Sequence, residues 1–254
     1  MTTDTTVAVA PREPELSGQI VVAIGGSAGI GLETARRARA EGAEVILTGR
    51  NPERLERAAA EVGARGTAAF DATDPAALDR FFDGLPARID HIMVTGPGPY
   101  YAPLAELDRD QAHRDFANHE WLAIAVAQHA VGRVRPGGTL VFMGGTGGRR
   151  RGPGLSLIGA ATAAMPALIA NLAVEVAPIR VNLIAAGFVD TPLSATLLGD
   201  DLDARRDQLR ATLPIGRVVG PDDVAKLAVH LMTNTALTGA TYDIDGGQQL
   251  VAKG

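Results

Sequence analysis

The chain has 254 residues with 46% hydrophobic and 21% charged content, enough apolar material to build one large α/β domain and too much for a disordered chain. Only 4% of the residues are aromatic and the formal net charge is -5, a composition that argues against a nucleic-acid partner. The absence of cysteine removes disulfides, thiolate nucleophiles and thiolate metal sites together, and lysine occurs only at positions 226 and 253, every other basic residue apart from histidine being arginine.

Residues 1–17 lack the charged start and continuous apolar stretch of a secretory signal and are read as a flexible tail, with 18–254 as a single domain in a cytoplasmic protein. No apolar run is read as long enough to cross a bilayer, so no membrane partner is expected. Short Val/Ile/Leu-rich runs predict strands at Ile20 to Ile24, Glu44 to Thr48, Gly66 to Phe70, His91 to Thr95, Thr139 to Met143, Arg180 to Ile184 and Thr241 to Ile244. Between them, helical periodicity predicts helices at Gly29 to Glu41, Pro52 to Val62, Pro75 to Asp83, Asp110 to Val134, Leu155 to Val176 and Pro221 to Met232. Pro52, Pro75 and Pro221 open three of these, where a fixed φ and a missing amide donor cost nothing. Alternating strands and helices with right-handed crossovers give a Rossmann-like, doubly wound parallel sheet of seven strands flanked by helices, with ligands expected beyond the carboxyl ends of the strands.

The first strand runs into Gly25-Gly26-Ser27-Ala28-Gly29-Ile30-Gly31 and then directly into a helix. Glycine in that place lets backbone approach a pyrophosphate, and the helix start offers unpaired amide donors, so Gly25, Ser27, Ala28, Gly29, Ile30 and Gly31 are candidates for dinucleotide binding. The second strand ends Thr48-Gly49-Arg50-Asn51, with a cation where an acidic residue would hold the ribose hydroxyls of NAD. A guanidinium there suits a 2′-phosphate, which points to NADP(H), with Arg50 and Asn51 as contacts and Asp71 and Ala72 at the adenine edge.

From about residue 18 to 250 the sequence resembles the short-chain dehydrogenase/reductase family. The resemblance rests on Gly25, Gly29 and Gly31 in G-x-x-x-G-x-G spacing, Asp90-His91, Asn118, Pro178-Ile179-Arg180-Val181-Asn182 and Asp245-Gly246-Gly247. It implies nicotinamide contacts at Gly96, Gly187, Val189 and Thr191. It also implies a Ser, a Tyr and a Lys, with an Asn completing a proton relay, the Tyr serving as general acid or base and the Lys lowering its pKa. Here those three positions read Gly145, Ile158 and Thr162, and only Asn118 remains as a catalytic candidate; in the family that Asn also bonds main chain at a helix bend.

Other groups are candidates for the lost proton transfer. Tyr100 and Tyr101 sit on the Gly/Pro-rich loop after the fourth strand. Without a nearby cation, a phenol there keeps a pKa of about 10, which suits a pocket wall better than an acid. His119 lies about 100° round its helix from Asn118 and is expected to pack rather than face the cleft. Arg149-Arg150-Arg151, between the fifth strand and its helix, could draw in an anionic substrate or simply be solvated. The histidines show no metal-ligand spacing, so no metal is expected. By resemblance, residues 192–213 form an amphipathic lid, and the fourth and fifth helices pair copies into a homodimer or homotetramer. The resulting expectation is an NADP(H)-dependent oxidoreductase of atypical active site, acting on a small molecule with a carbonyl, imine or activated alkene. The alternatives are an NADP(H)-binding sensor or regulatory subunit without turnover, and non-redox isomerisation or cyclisation in the same pocket.

Overall fold

The computed structural model describes residues 13–251. In chain order the elements are β1 (Ile20–Ile24), α1 (Gly29–Ala40), β2 (Glu44–Gly49), α2 (Pro52–Val62), β3 (Gly66–Ala69), α3 (Pro75–Asp83), β4 (Ile89–Val94), α4 (Arg109–Ala130), β5 (Val134–Gly145), α5 (Ser156–Glu175), β6 (Arg180–Ala186), α6 (Pro192–Leu198), α7 (Leu202–Thr212), α8 (Pro221–Thr233) and β7 (Thr241–Ile244). The strands form one parallel sheet in the order β3-β2-β1-β4-β5-β6-β7, as the alternation of strand and helix patterns predicts. Strand order reverses between β1 and β4, which opens a crevice at their carboxyl ends.

Period-two alternation supplies both faces of the sheet. In β1, Val22 and Ile24 point into the layer covered by α3, α4 and α5, where Phe82, Phe142 and Ile169 are buried. Val21 and Ala23 point into the opposite layer, where Ala35 and Ala38 of α1 meet Val224 and Ala228 of α8. Small residues on those two helices permit their close approach. Local chemistry fixes the helix starts: Asn51 Oδ1 accepts the Arg54 amide at 2.8 Å, Asp74 Oδ1 accepts those of Ala76 and Ala77, and Asp108 Oδ1 that of Gln111 at 2.7 Å. Within the segment read as a tail, Leu16 is buried and its amide bonds the Glu41 carbonyl at 2.9 Å; residues 1–12 and Lys253 lie outside the described residues.

Three expectations are corrected. The fourth helix stops at Ala130 rather than Val134, because Val131 is extended and Gly132 takes φ 81, and the released Val134 pairs with Ile89 to lengthen β4 and β5. The segment after β6 folds into two helices, α6 starting from a Thr191/Ser194 capping box with Pro192 in the first turn. Finally, α5 is long and apolar enough by length and composition to cross a membrane, with a mean hydropathy of 1.8 over an 18-residue window. Its Ile158, Ala161, Met165, Ile169 and Leu172 pack it into the protein, and 33% of that window is buried.

Two buried polar groups tie the amino-terminal side of the sheet together. Arg180 at the start of β6 donates to the carbonyls of Leu231 (2.6 Å), Met232 (2.8 Å), Asn234 (3.1 Å) and Leu237 (3.2 Å), closing the carboxyl end of α8. His91 in β4 is 1% exposed, with Nε2 2.7 Å from Gln19 Oε1, and burial, with Arg135 adding to it, lowers its pKa to about 3. Replacing Arg180 with Met removes the guanidinium from all four carbonyls, of which Leu237 keeps Asn182 Nδ2 and Asn234 the Leu237 amide as donors, and should cost about 3 kcal/mol in urea unfolding followed by circular dichroism; a loss below about 1 kcal/mol contradicts this role. An unfolded His91 takes up its proton near pH 6.5 and the folded one only near 3, so stability falls as pH drops between those values. His91→Gln should flatten that pH dependence by up to about 1.4 kcal/mol per pH unit, and an unchanged slope would show that His91 does not carry it.

Candidate cofactor and active site

At the carboxyl end of β1, Gly25 adopts φ 88, and a side chain there would overlap Thr95 Oγ1 at the end of β4. A Cβ on Gly31 would strike the Gly25 carbonyl, so the first turn of α1 lies directly on the loop it leaves. The Gly25 amide donates to Thr48 Oγ1 at 3.2 Å and the Gly26 amide to the Thr48 carbonyl at 2.8 Å, which anchors the loop to β2. Ala28 precedes α1 without a side-chain cap, leaving the amides of that first turn to an outside acceptor. Ser27 is buried against Gly49, and Gly29 lies beside Thr191, where a Cβ would be 3.5 Å from the threonine side chain. The segment before α6 thus closes on the glycine loop.

The remaining predicted contacts surround this cradle. Arg50 follows β2 and is exposed, while the Asn51 side chain is engaged in capping α2. Asp71 Oδ1 accepts the Thr73 amide and hydroxyl at 3.0 and 2.8 Å, and Ala72 packs at the edge of the core. Gly96, after β4, faces open space, with no atom within 4 Å of where its Cβ would be. Gly187 sits where a Cβ would come 2.6 Å from that of Asp245, and the Phe188 amide donates to Gln248 Oε1 at 2.9 Å. Asp245 in turn accepts the amides of Gly247 and Gln249 at 2.8 and 3.0 Å. Val189 is buried and bridged to Val219. The turn after β7 therefore holds Gly187 and Phe188 at the end of β6, while Val219 and the glycine loop flank Val189 and Thr191. Free first-turn amides and a floor without Cβ atoms fit the pyrophosphate of a dinucleotide. Thr48 and Thr95, which fasten the loop, were not among the expected site residues; their signal is only a hydroxyl at a strand end.

Gly145 ends β5, and a Cβ on it would be 3.4 Å from Thr162 Cγ2, so the positions aligned with the family's Ser and Lys do meet in space. Ile158 and Thr162 are buried on α5, and the Thr162 hydroxyl donates to the Ile158 carbonyl at 2.7 Å, within its own helix. Asn118 is half-buried on the neighbouring α4. His119 packs, its Nδ1 3.0 Å from the Asp115 carbonyl. Glu120, which the sequence did not single out, buries both carboxylate oxygens without a hydrogen bond, and burial raises its pKa.

The loop tyrosines separate. The Tyr100 hydroxyl accepts the Asp108 amide at 3.2 Å beside the start of α4. Tyr101 is 51% exposed, and the expectation that it lacks a nearby cation is corrected: burial raises its pKa, while Arg150 acts in the opposite direction. The three consecutive arginines also diverge. Arg149 grips Asp243 with two hydrogen bonds of 2.7 and 2.5 Å, which hold the aspartate well below its ordinary pKa, and Arg151 donates to the Gly148 carbonyl at 2.9 Å. Among the described residues no group of three or more His, Asp or Glu side chains is placed to hold a metal ion.

Comparison with known proteins fits this geometry. Residues 25–249 match the family model described as enoyl-(acyl carrier protein) reductase. The chain is 31% identical over 252 residues to a 4-formylbenzenesulfonate dehydrogenase of Comamonas testosteroni, covering 92% of this chain and 99% of that protein. It is 26% identical over 255 residues to an NADP-dependent (R)-specific alcohol dehydrogenase of Lentilactobacillus kefiri, covering 91% and 97%. The solved structure of the MalC reductase/Diels-Alderase from Malbranchea aurantiaca superposes with a TM-score of 0.87 at 27% identity, covering 94% of this chain and 99% of that one. With its parallel seven-stranded sheet, glycine loop and matched family model, the chain belongs to the short-chain dehydrogenase/reductase family, oxidoreductases that use nicotinamide cofactors.

Proposed function

We propose that this protein is an NADP(H)-dependent oxidoreductase that moves a hydride to or from a carbonyl, imine or activated alkene, in an active site built without the family's Ser, Tyr and Lys. The observation that carries the cofactor choice is Arg50. It is an exposed cation immediately after β2, beside the glycine loop, and among the described residues no carboxylate pairs with it. A 2′-phosphate supplies the anion such a guanidinium lacks. Similarity to an NADP-dependent alcohol dehydrogenase supports the same choice.

A bound nicotinamide supplies or accepts the hydride. The chain itself binds and orients: amides of residues 28–31 for the pyrophosphate, and the segment from Gly187 to Thr191 for the nicotinamide end. Neither Gly145 nor Ile158 carries an ionisable proton, and the Thr162 hydroxyl is engaged by the Ile158 carbonyl. The proton of a reduction therefore comes from solvent, from the substrate or from a side chain on the surrounding loops. Cyclisation in the same cleft is a second reading, favoured by similarity to a protein that is both reductase and Diels-Alderase.

The reading includes a homodimer or homotetramer formed through α4 and α5, supported by Phe116 (42% exposed), Trp121 (64%) and Val174 (78%) on those helices. Light scattering should return a multiple of the 26.3 kDa chain mass, and a monomer contradicts that part of the reading. Calorimetric titration should show NADPH binding tighter than NADH, with Arg50→Ala weakening NADPH by roughly 10- to 100-fold and NADH by less than about twofold. Equal loss for both, or no binding of either, overturns the cofactor assignment. NADPH bound without oxidation against any of a panel of carbonyls and imines would favour the reading without redox turnover.

A further inference from the structure

The inward face of α7 carries charge where apolar side chains would be expected. Leu202, Arg205, Arg206 and Leu209 stand at the i, i+3, i+4, i+7 spacing of a packing stripe, and every other residue of the helix is exposed. Of the four only Leu209 is buried outright, so α7 has little apolar surface with which to hold itself to the protein. Its two inward guanidiniums both reach the segment after β6. Arg206 Nε and Nη2 donate to Asp190 Oδ2 and Oδ1 at 2.9 and 2.8 Å, a bidentate grip, and the Arg205 guanidinium lies 5.9 Å from the centroid of the Phe188 ring. Side-chain exposures of 29% for Arg206 and 31% for Asp190 set this pair apart from the fully solvated pairs whose contribution is small.

The gripped segment borders the cofactor cradle. The Phe188 amide donates to Gln248 Oε1 at 2.9 Å and the Asp190 amide to the Val219 carbonyl at 3.0 Å. Thr191, the next residue, caps α6 and stands beside Gly29 of the glycine loop, whose Cβ would lie 3.5 Å from it. A shift at Asp190 passes to Thr191 through a single planar peptide unit, and so to the edge of the glycine loop.

We propose that Arg206 is a positioning residue for the cofactor: through Asp190 it sets the segment from Gly187 to Thr191 against the nicotinamide end, with Arg205 on Phe188 as a second, weaker attachment. This role rests on the NADP(H) reading above; the attachment of α7 to the segment does not. The coupling is reciprocal, so a ligand that settles the nicotinamide end also settles α7.

The test compares NADPH with 2′-phospho-ADP-ribose, which keeps the pyrophosphate and the 2′-phosphate but lacks the nicotinamide, by calorimetric titration of the full chain. Arg206→Gln should weaken NADPH by about tenfold and 2′-phospho-ADP-ribose by less than about twofold, because the lost grip acts at one end of the cradle only. Asp190→Asn should do the same, the double variant should be no worse than either single one, and Arg206→Lys should recover part of the loss. Arg210→Gln, which removes an exposed charge of the same helix paired only with Asp207, should change neither ligand. Equal weakening of both ligands, or undiminished NADPH binding, overturns the proposal. Hydrogen exchange without cofactor reads the attachment by itself: Arg206→Gln should speed exchange across residues 188–191 and α7 and leave β1 to β5 as they were, and unaltered exchange there overturns the attachment. A wild type that binds neither ligand contradicts the NADP(H) reading and with it the role at the nicotinamide end, while exchange still decides whether Arg206 holds the segment, so the two fail separately.

Discussion

The close approach of Gly31 to the Gly25 carbonyl is the constraint on which the cleft depends. With no Cβ at either residue, α1 starts directly against the end of β1, and its uncapped amides face the crevice rather than a side chain. The same economy recurs at Gly187, whose missing Cβ lets the Asp245 turn press against the end of β6. Thr48 and Thr95 then fasten the glycine loop to the strands on either side, and Thr191 closes on Gly29 from above. Five strand ends are thereby drawn round one space, and a methyl group at Gly25, Gly31 or Gly187 would push them apart.

Electrostatics are distributed unevenly round that space. On the far side of the sheet, charges are consumed in holding the fold: Arg180 is spent on the carbonyls ending α8, and Arg135 on Asp90, which in turn accepts the Ile20 amide at 2.7 Å. At the carboxyl edge some cations are pinned, as Arg149 is by Asp243 and Arg206 by Asp190, and others are not. Arg50, Arg150 and Arg205 remain without carboxylates among the described residues.

Much of this was legible in the sequence because it depends on local spacing. A strand running into Gly25, Gly29 and Gly31 and then a helix can hardly form another structure, and Pro52, Pro75 and Pro221 mark helix starts through their own φ. The end of α4 was less legible, since it turns on Gly132 taking a left-handed conformation that Ala-rich periodicity on both sides conceals. The helices α6 and α7 carry short apolar patterns, and α7 is stabilised by pairs such as Arg206 with Asp203 and Arg210 with Asp207 that also suit a solvated loop. The grip of Arg149 on Asp243 is not legible at all, because the two residues lie 94 positions apart on different strand ends and only the folded sheet edge brings them together. That no lysine lies in the fifth helix was plain from composition, but that the Thr162 hydroxyl turns back on its own helix required coordinates.

The measurement that bears most directly on the account is a crystal structure of the protein with NADPH. The account predicts the pyrophosphate against the amides of residues 28–31, the 2′-phosphate on the Arg50 guanidinium and the nicotinamide beneath the segment from Gly187 to Thr191, above the side chains of Ile158 and Thr162. Cofactor seated elsewhere, or a 2′-phosphate directed into solvent away from Arg50, would contradict it.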